Sequence, residues 1–133
     1  MSRRPYRRIV GAIRQVAPFS RDFVLVPDTA DRIRLRWREN DSDATFSANQ
    51  MSDGTLRFVC LATLLLQPTL PALMVLDEPE LGLHPYAIVQ LAGLLRQAST
   101  RSQVLIATQS DLGVGRLRRQ CPHLDSWLRR LEQ

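Results

Sequence analysis

The chain has 133 residues, 44% of them hydrophobic, which suffices for one ordinary domain with its own core. No apolar run approaches the roughly 20 residues that span a bilayer. No signal-type apolar stretch follows the basic start Met1-Ser2-Arg3-Arg4-Pro5 either, so membrane and export roles are set aside and a cytoplasmic location is expected. The net charge of +5 is uneven: residues 1–40 carry ten Arg against four acids (+6), and residues 41–133 eight Arg against nine acids (−1), so attraction to a polyanion belongs to the first third.

Along the chain, Tyr6, Ile9, Val10, Ile13 and Val16 recur at helical spacing with Arg7, Arg8 and Arg14 off that stripe, which predicts an amphipathic helix over 5–17, ended by Pro18. Phe23-Val24-Leu25-Val26 reads as a short strand closed by Pro27. The run Arg32-Ile33-Arg34-Leu35-Arg36-Trp37-Arg38 alternates strictly, predicting one strand with four Arg on a wet face. Asn40 to Asp43 is a turn, and Ala44 to Ala48 a returning hairpin arm. Ser52 opens a helix that stops at Gln67-Pro68. Ala72 to Leu76 is continuously apolar, as a strand buried on both faces would be. His84-Pro85 starts a further helix with Ile88, Leu91, Leu94 and Leu95 on its buried stripe, since Pro suits the first helical position. Val104 to Ala107 is a second buried strand, and residues 112–133 read as an Arg-rich helical tail broken at Pro122. Strand, helix, strand in this order predicts a parallel α/β layer.

The most specific chemistry lies at Leu73-Met74-Val75-Leu76-Asp77-Glu78-Pro79. A strand ending in two adjacent carboxylates places both at the C-terminal edge of a parallel sheet, where such sheets bind ligands. Neighbouring strand residues point oppositely, so the acids are expected to do different work. One can hold a hydrated Mg²⁺, which takes one or two carboxylates plus waters and phosphate oxygens; the other can orient and deprotonate a water. Two solvated acids at a strand end are the bland alternative, and Asp-Glu-Pro alone would not displace it.

The longer run Asp77-Glu78-Pro79-Glu80-Leu81-Gly82-Leu83-His84-Pro85 resembles the Walker B and D-loop segment of ATP-binding-cassette ATPases, most nearly the AAA-type ATPases related to RecF, SMC and OLD proteins. Met51-Ser52-Asp53-Gly54-Thr55-Leu56-Arg57 is similar to that superfamily's signature motif, and Val104-Leu105-Ile106-Ala107-Thr108-Gln109-Ser110 to its switch segment, with Gln109 where many cassette ATPases place His. Ser52 can cap its helix, Gly54 lets a phosphate approach the backbone, and the helix dipole favours an anion there. The resemblance implies ATP and Mg²⁺ as cofactors. Asp77 would hold the metal, Glu78 act as general base and Gln109 sense the γ-phosphate. Ser52, Asp53, Gly54 and Arg57 would face the nucleotide of a partner subunit, with Gly82 at the dimer seam. The motifs follow in the family's order, Ser52 to Asp77 spanning 25 positions and Asp77 to Gln109 spanning 32.

One motif of the family is missing. All 18 basic residues are Arg, so the lysine of G-x-x-x-x-G-K-[ST] does not exist here, and no two of the six glycines stand five apart. The expectation is an α/β fold that is part of a P-loop NTPase sheet, with a helix and edge strands over 1–50, the motifs over 51–111 and the tail over 112–133. It would be a truncated or split ATPase head, inactive alone and acting as a homodimer or with a chain bearing the P-loop. The alternative is a non-enzymatic module that donates its signature helix or binds nucleic acid, DNA in particular, through its first 40 residues. The Arg ladder 32/34/36/38 could touch phosphates, although a solvated strand face explains it as well. His84 and His123 have no second ligand at zinc spacing. Cys60 and Cys121, in no C-x-x-C pair, read as reduced packing residues.

Overall fold

A computed structural model describes residues 3–29 and 32–108. The predicted tail, His123, Cys121 and Gln109 lie outside them.

Helix α1 (Arg3–Val16) turns Val10 and Ile13 into the core, followed there by Ala17, and keeps Arg4, Arg7, Arg8 and Arg14 outward. Pro18 ends it, since proline disfavours the α region for its predecessor, and Ala17 N–H closes on Ile13 O at 2.8 Å. Strand β1 (Ser20–Val24) starts three residues before the predicted strand and ends two earlier. Its limits are set by pairing with β4 (Arg36–Glu39), Phe23 opposite Trp37 and Val24 opposite Arg36. Pro27, expected to close a strand, instead opens β2 (Pro27–Thr29), which pairs with β3 (Arg32–Ile33) in a separate antiparallel ribbon.

The alternating arginine run is therefore not one strand. It breaks at Arg34-Leu35 because its two halves serve different sheets. Nor do its arginines share one wet face: Arg32 and Arg34 are exposed, whereas Arg36 and Arg38 are half-buried and the Arg38 Nε is buried without a hydrogen-bond partner among the described residues. On the other side of the run, burial is graded, from Ile33 at 66% exposure to Trp37 at 4%. Strand β5 (Thr45–Ser47) completes the three-stranded sheet β1-β4-β5, with Trp37 against Phe46 at 5.0 Å between ring centres and edge-on to Phe19 at 5.4 Å.

Helix α2 (Asp53–Leu65) buries Phe58, Val59, Ala62 and Leu65. Cys60 falls on its open side and is exposed, so it is not a packing residue. Strand β6 (Leu73–Asp77), helix α3 (Pro85–Ser99) and strand β7 (Gln103–Ala107) form one parallel unit, in register from Leu73 opposite Gln103 to Asp77 opposite Ala107. The α3 face that meets the core carries Ala87, Leu91, Ala92, Leu95 and Ala98, with Ile88 and Leu94 at its margins. The small residues let the helix approach closely. The fold is α/β: helices α1, α2 and α3 share one apolar cluster with Trp37, Met51 and Met74.

The prediction that β6 is buried on both faces fails. Met74 is buried, but Leu73 and Val75 are 52% and 64% exposed, and Leu105 on β7 is 53% exposed. Helix α3 packs on β7, and Met74, Val104 and Ile106 join the helices' apolar cluster, so the alternate side chains along both strands face away from it.

Candidate functional site

The site begins with the parallel ladder. Because Asp77 lies opposite Ala107, the two strands end level at the C-terminal edge of the sheet. The Glu78 amide extends the pairing by one bond, donating to Ala107 O at 2.8 Å. Asp77 is exposed, as a carboxylate meant for solvent or an ion must be. The pair does not divide by strand alternation, as the sequence implied, because Glu78 has already left the strand. Its φ of 41° lies in the left-handed region, which costs a non-glycine residue about 1–2 kcal/mol.

Two turns follow. Leu81 N–H donates to Glu78 O at 3.1 Å and Leu83 N–H to Glu80 O at 3.0 Å, with Gly82 at φ 75° between them. His84 then caps α3, its Nδ1 accepting from Tyr86 N–H at 3.4 Å, and Pro85 takes the first helical position.

The start of α2 packs on this turn. Ser52 caps the helix as expected: its Oγ accepts from Thr55 N–H at 3.1 Å. The Asp53 and Gly54 amides have no acceptor among the described residues. Arg57 Nη1 donates to Glu78 O at 3.1 Å, which ties the helix to the residue after the strand. Gly54 is needed for a reason that the motif did not disclose. A Cβ on it would stand 2.3 Å from Gly82 O and 3.3 Å from the Gly82 carbonyl carbon. Only glycine allows this helix and this turn to meet.

Thus Gly54, Arg57, Asp77, Glu78 and Gly82 come together around one strand end, with Ser52 and Asp53 at the adjoining helix start. Gln109 lies outside the described residues, two positions beyond Ala107. Glu80 was missed as a candidate. It is only 6% exposed, its Oε1 accepts from Thr108 Oγ1, and its Oε2 is buried with no partner among the described residues. Nothing local marks it, because an acid between Pro79 and Leu81 would ordinarily be solvated and the threonine that holds it is 28 residues away. Thr108 thereby links the turn after β6 to the end of β7. Among the described residues no group of three or more His, Cys, Asp or Glu is placed to hold a metal, and no helix is long and apolar enough to cross a membrane.

The structure is thus a mixed α/β fold with paired acids at a parallel strand end and a capped helix against the following turn. Solved heads of SMC ATPases share the fold. One, an SMC ATPase described for its ATP-driven dimerisation and DNA-stimulated activation, superposes with a TM-score of 0.62 at 16% identity over 84% of this chain and 71% of that one. An Smc head bound to the C-terminal winged-helix domain of ScpA gives 0.65 at 16% identity, again over 84% of this chain but 36% of the other. A Pyrococcus furiosus Smc head domain with an extended coiled coil, bound to the C-terminal domain of ScpA, gives 0.62 at 16% identity over 84% and 29%. No curated protein matches the sequence. The chain belongs to the family described as "AAA domain, putative AbiEii toxin, Type IV TA system", whose model matches residues 2–114.

Proposed function

We propose that the chain supplies the acid-pair and signature-helix half of an ATP-hydrolysing head, working as one side of a dimer. The observation that carries this reading is the level ending of β6 and β7, Asp77 opposite Ala107, with the start of α2 held against the same turn. In it Asp77 holds Mg²⁺ and Glu78 orients and deprotonates the attacking water. Ser52, Asp53, Gly54 and Arg57 face the γ-phosphate of ATP on the other subunit. Gly82 and Leu83 lie at the seam, and Gln109 reads the γ-phosphate. An SMC ATPase of the same fold dimerises on ATP, which is the assembly proposed here.

The residues present fit the metal better than the nucleotide. A single exposed carboxylate at a strand end suits Mg²⁺, which keeps most of its waters and shares phosphate oxygens, and which when bound would neutralise phosphate charge. For the phosphates themselves the chain has no lysine and no G-x-x-x-x-G-K-[ST] loop. Their grip has to come from outside these 133 residues, as a preceding segment or a separate polypeptide. The outward apolar residues Leu73, Val75 and Leu105 support a neighbour at that place.

The test starts from the DNA around the gene, read in all frames for the missing loop, and reconstitutes the encoded segment with this chain. Phosphate release should appear only in the mixture and fall at least about 100-fold with Glu78→Gln, within the range of losing a general base. Phosphate release by the chain alone, or a mixture indifferent to Glu78→Gln, refutes the proposal.

A further inference from the structure

A second site lies away from the acid pair, where α1 runs beside β1. We infer that the open groove between them, about 710 Å³ in volume, binds the phosphodiester backbone of a nucleic acid. Helix α1 contributes Arg7, Val10, Gly11 and Arg14, and β1 contributes Arg21 and Asp22. Three guanidiniums against one carboxylate give the lining a net charge of +2. It lies within a region, residues 1–40, whose ten Arg and four acids sum to +6.

Each charge is in a state to serve. Arg14 is pre-set, with Nε donating to Ser20 O at 3.2 Å and Nη2 to Arg21 O. These bonds fix its plane without neutralising it. Arg7 has no partner among the described residues. Among the described residues the Arg21 guanidinium pairs with Asp43, at 3.6 Å, and with side chains 44% and 100% exposed such a contact is worth little and yields to a phosphate. Asp22, the one opposing charge, is engaged by Tyr6 Oη and by its neighbour's amide, Phe23 N–H, at 2.8 Å. Tyr6 adds no negative charge near neutral pH, as for any tyrosine, and burial and then the bond to Asp22 push its hydroxyl further up, to about 12. Gly11 leaves space for a ligand, since a Cβ there would meet nothing within 4 Å. Arginine without lysine suits such a track, as the planar fork bonds phosphate oxygens in pairs.

The groove also displaces the arginine run at 32–38 as the natural contact, since that run is split between two sheets and half-buried at Arg36 and Arg38. The inference is independent of nucleotide chemistry at Asp77 and Glu78.

Fluorescence anisotropy of the full chain with a labelled single strand and its duplex, each about 20 residues long, tests it across a salt series. Each phosphate contact adds about 0.9 to the log–log salt slope on duplex and about 0.7 on single strands. The double variant Arg7→Gln/Arg21→Gln, which leaves the structural Arg14 intact, should lower the slope by about 1–2 and the affinity about tenfold or more at 0.1 M salt. The charge-matched control Arg32→Gln/Arg96→Gln should keep the slope, and both variants should melt with the parent. An equal loss in the control, an unchanged slope in the groove variant, absence of binding by the parent, or binding to phosphatidylserine vesicles but to neither oligonucleotide overturns the proposal.

Discussion

Replacing Gly54 with alanine isolates the contact on which the candidate site is built. In a helix without neighbours the change stabilises by about 0.4–1 kcal/mol, because alanine has less unfolded-state freedom to lose. Here the new Cβ would lie 2.3 Å from Gly82 O. Carbon and carbonyl oxygen pack no closer than about 3.3 Å, so the helix or the turn must retreat by about 1 Å. The obstacle is backbone, not a flexible side chain, so overpacking at about 1–3 kcal/mol is the appropriate scale. The net result is a loss of about 1–2 kcal/mol, a fall in Tm of roughly 4–8 °C for a domain of this size. Gly11→Ala and Gly93→Ala provide the opposite sign, since in both helices a Cβ meets nothing within 4 Å; each should raise Tm by about 2–4 °C. Thermal unfolding followed by circular dichroism reads all three. A Gly54→Ala protein as stable as the parent, beside stabilised Gly11→Ala and Gly93→Ala proteins, would show that α2 does not rest on the 78–83 turn.

Ser52→Ala removes the cap from α2 and should cost about 0.5–2 kcal/mol in urea unfolding, with Ser52→Asp recovering most of it. In a Tyr86→Phe background Tyr6 is the sole tyrosine, and absorbance at the tyrosinate band should titrate with a midpoint near 12. Its folded value lies above the unfolded 10.0, so the stability it contributes is complete below pH 10 and lost as pH rises towards 12; Tyr6→Phe should abolish that alkaline loss. The paired change Val75→Lys/Leu105→Lys alters side chains that are 64% and 53% exposed. It should leave Tm nearly unchanged while reducing self-association in sedimentation velocity, because charge blunts an open apolar sheet surface; unchanged self-association would show that this face is not the sticky one.

The comparison of sequence with structure follows the reach of each interaction. Ser52 as a cap, Pro85 at the first turn of α3, Pro18 as the end of α1 and the parallel pairing of β6 with β7 were legible because each depends on residues a few positions apart or on a short crossover. The acid pair at a strand end was legible for the same reason. The alternation at 32–38 misled because period two specifies extended backbone but not which strand it pairs with. Pairing to β1 and β2 divided it. Burial of β6 misled because an apolar run shows that a strand can be covered on both faces, whereas cover depends on what else is folded there. Glu80 bonded to Thr108 and Gly54 pressed on Gly82 were invisible, since their partners are 28 positions away in each case.

Local chemistry, read from the order of side chains, thus determined the three helices, the parallel strand pair and the acids at its end, but not the division of residues 27–39 between two sheets. Only the tertiary structure decided which candidate residues share a surface and which glycine is indispensable. Contacts between distant segments depend on the path of the backbone through space, and no short window of sequence contains that path.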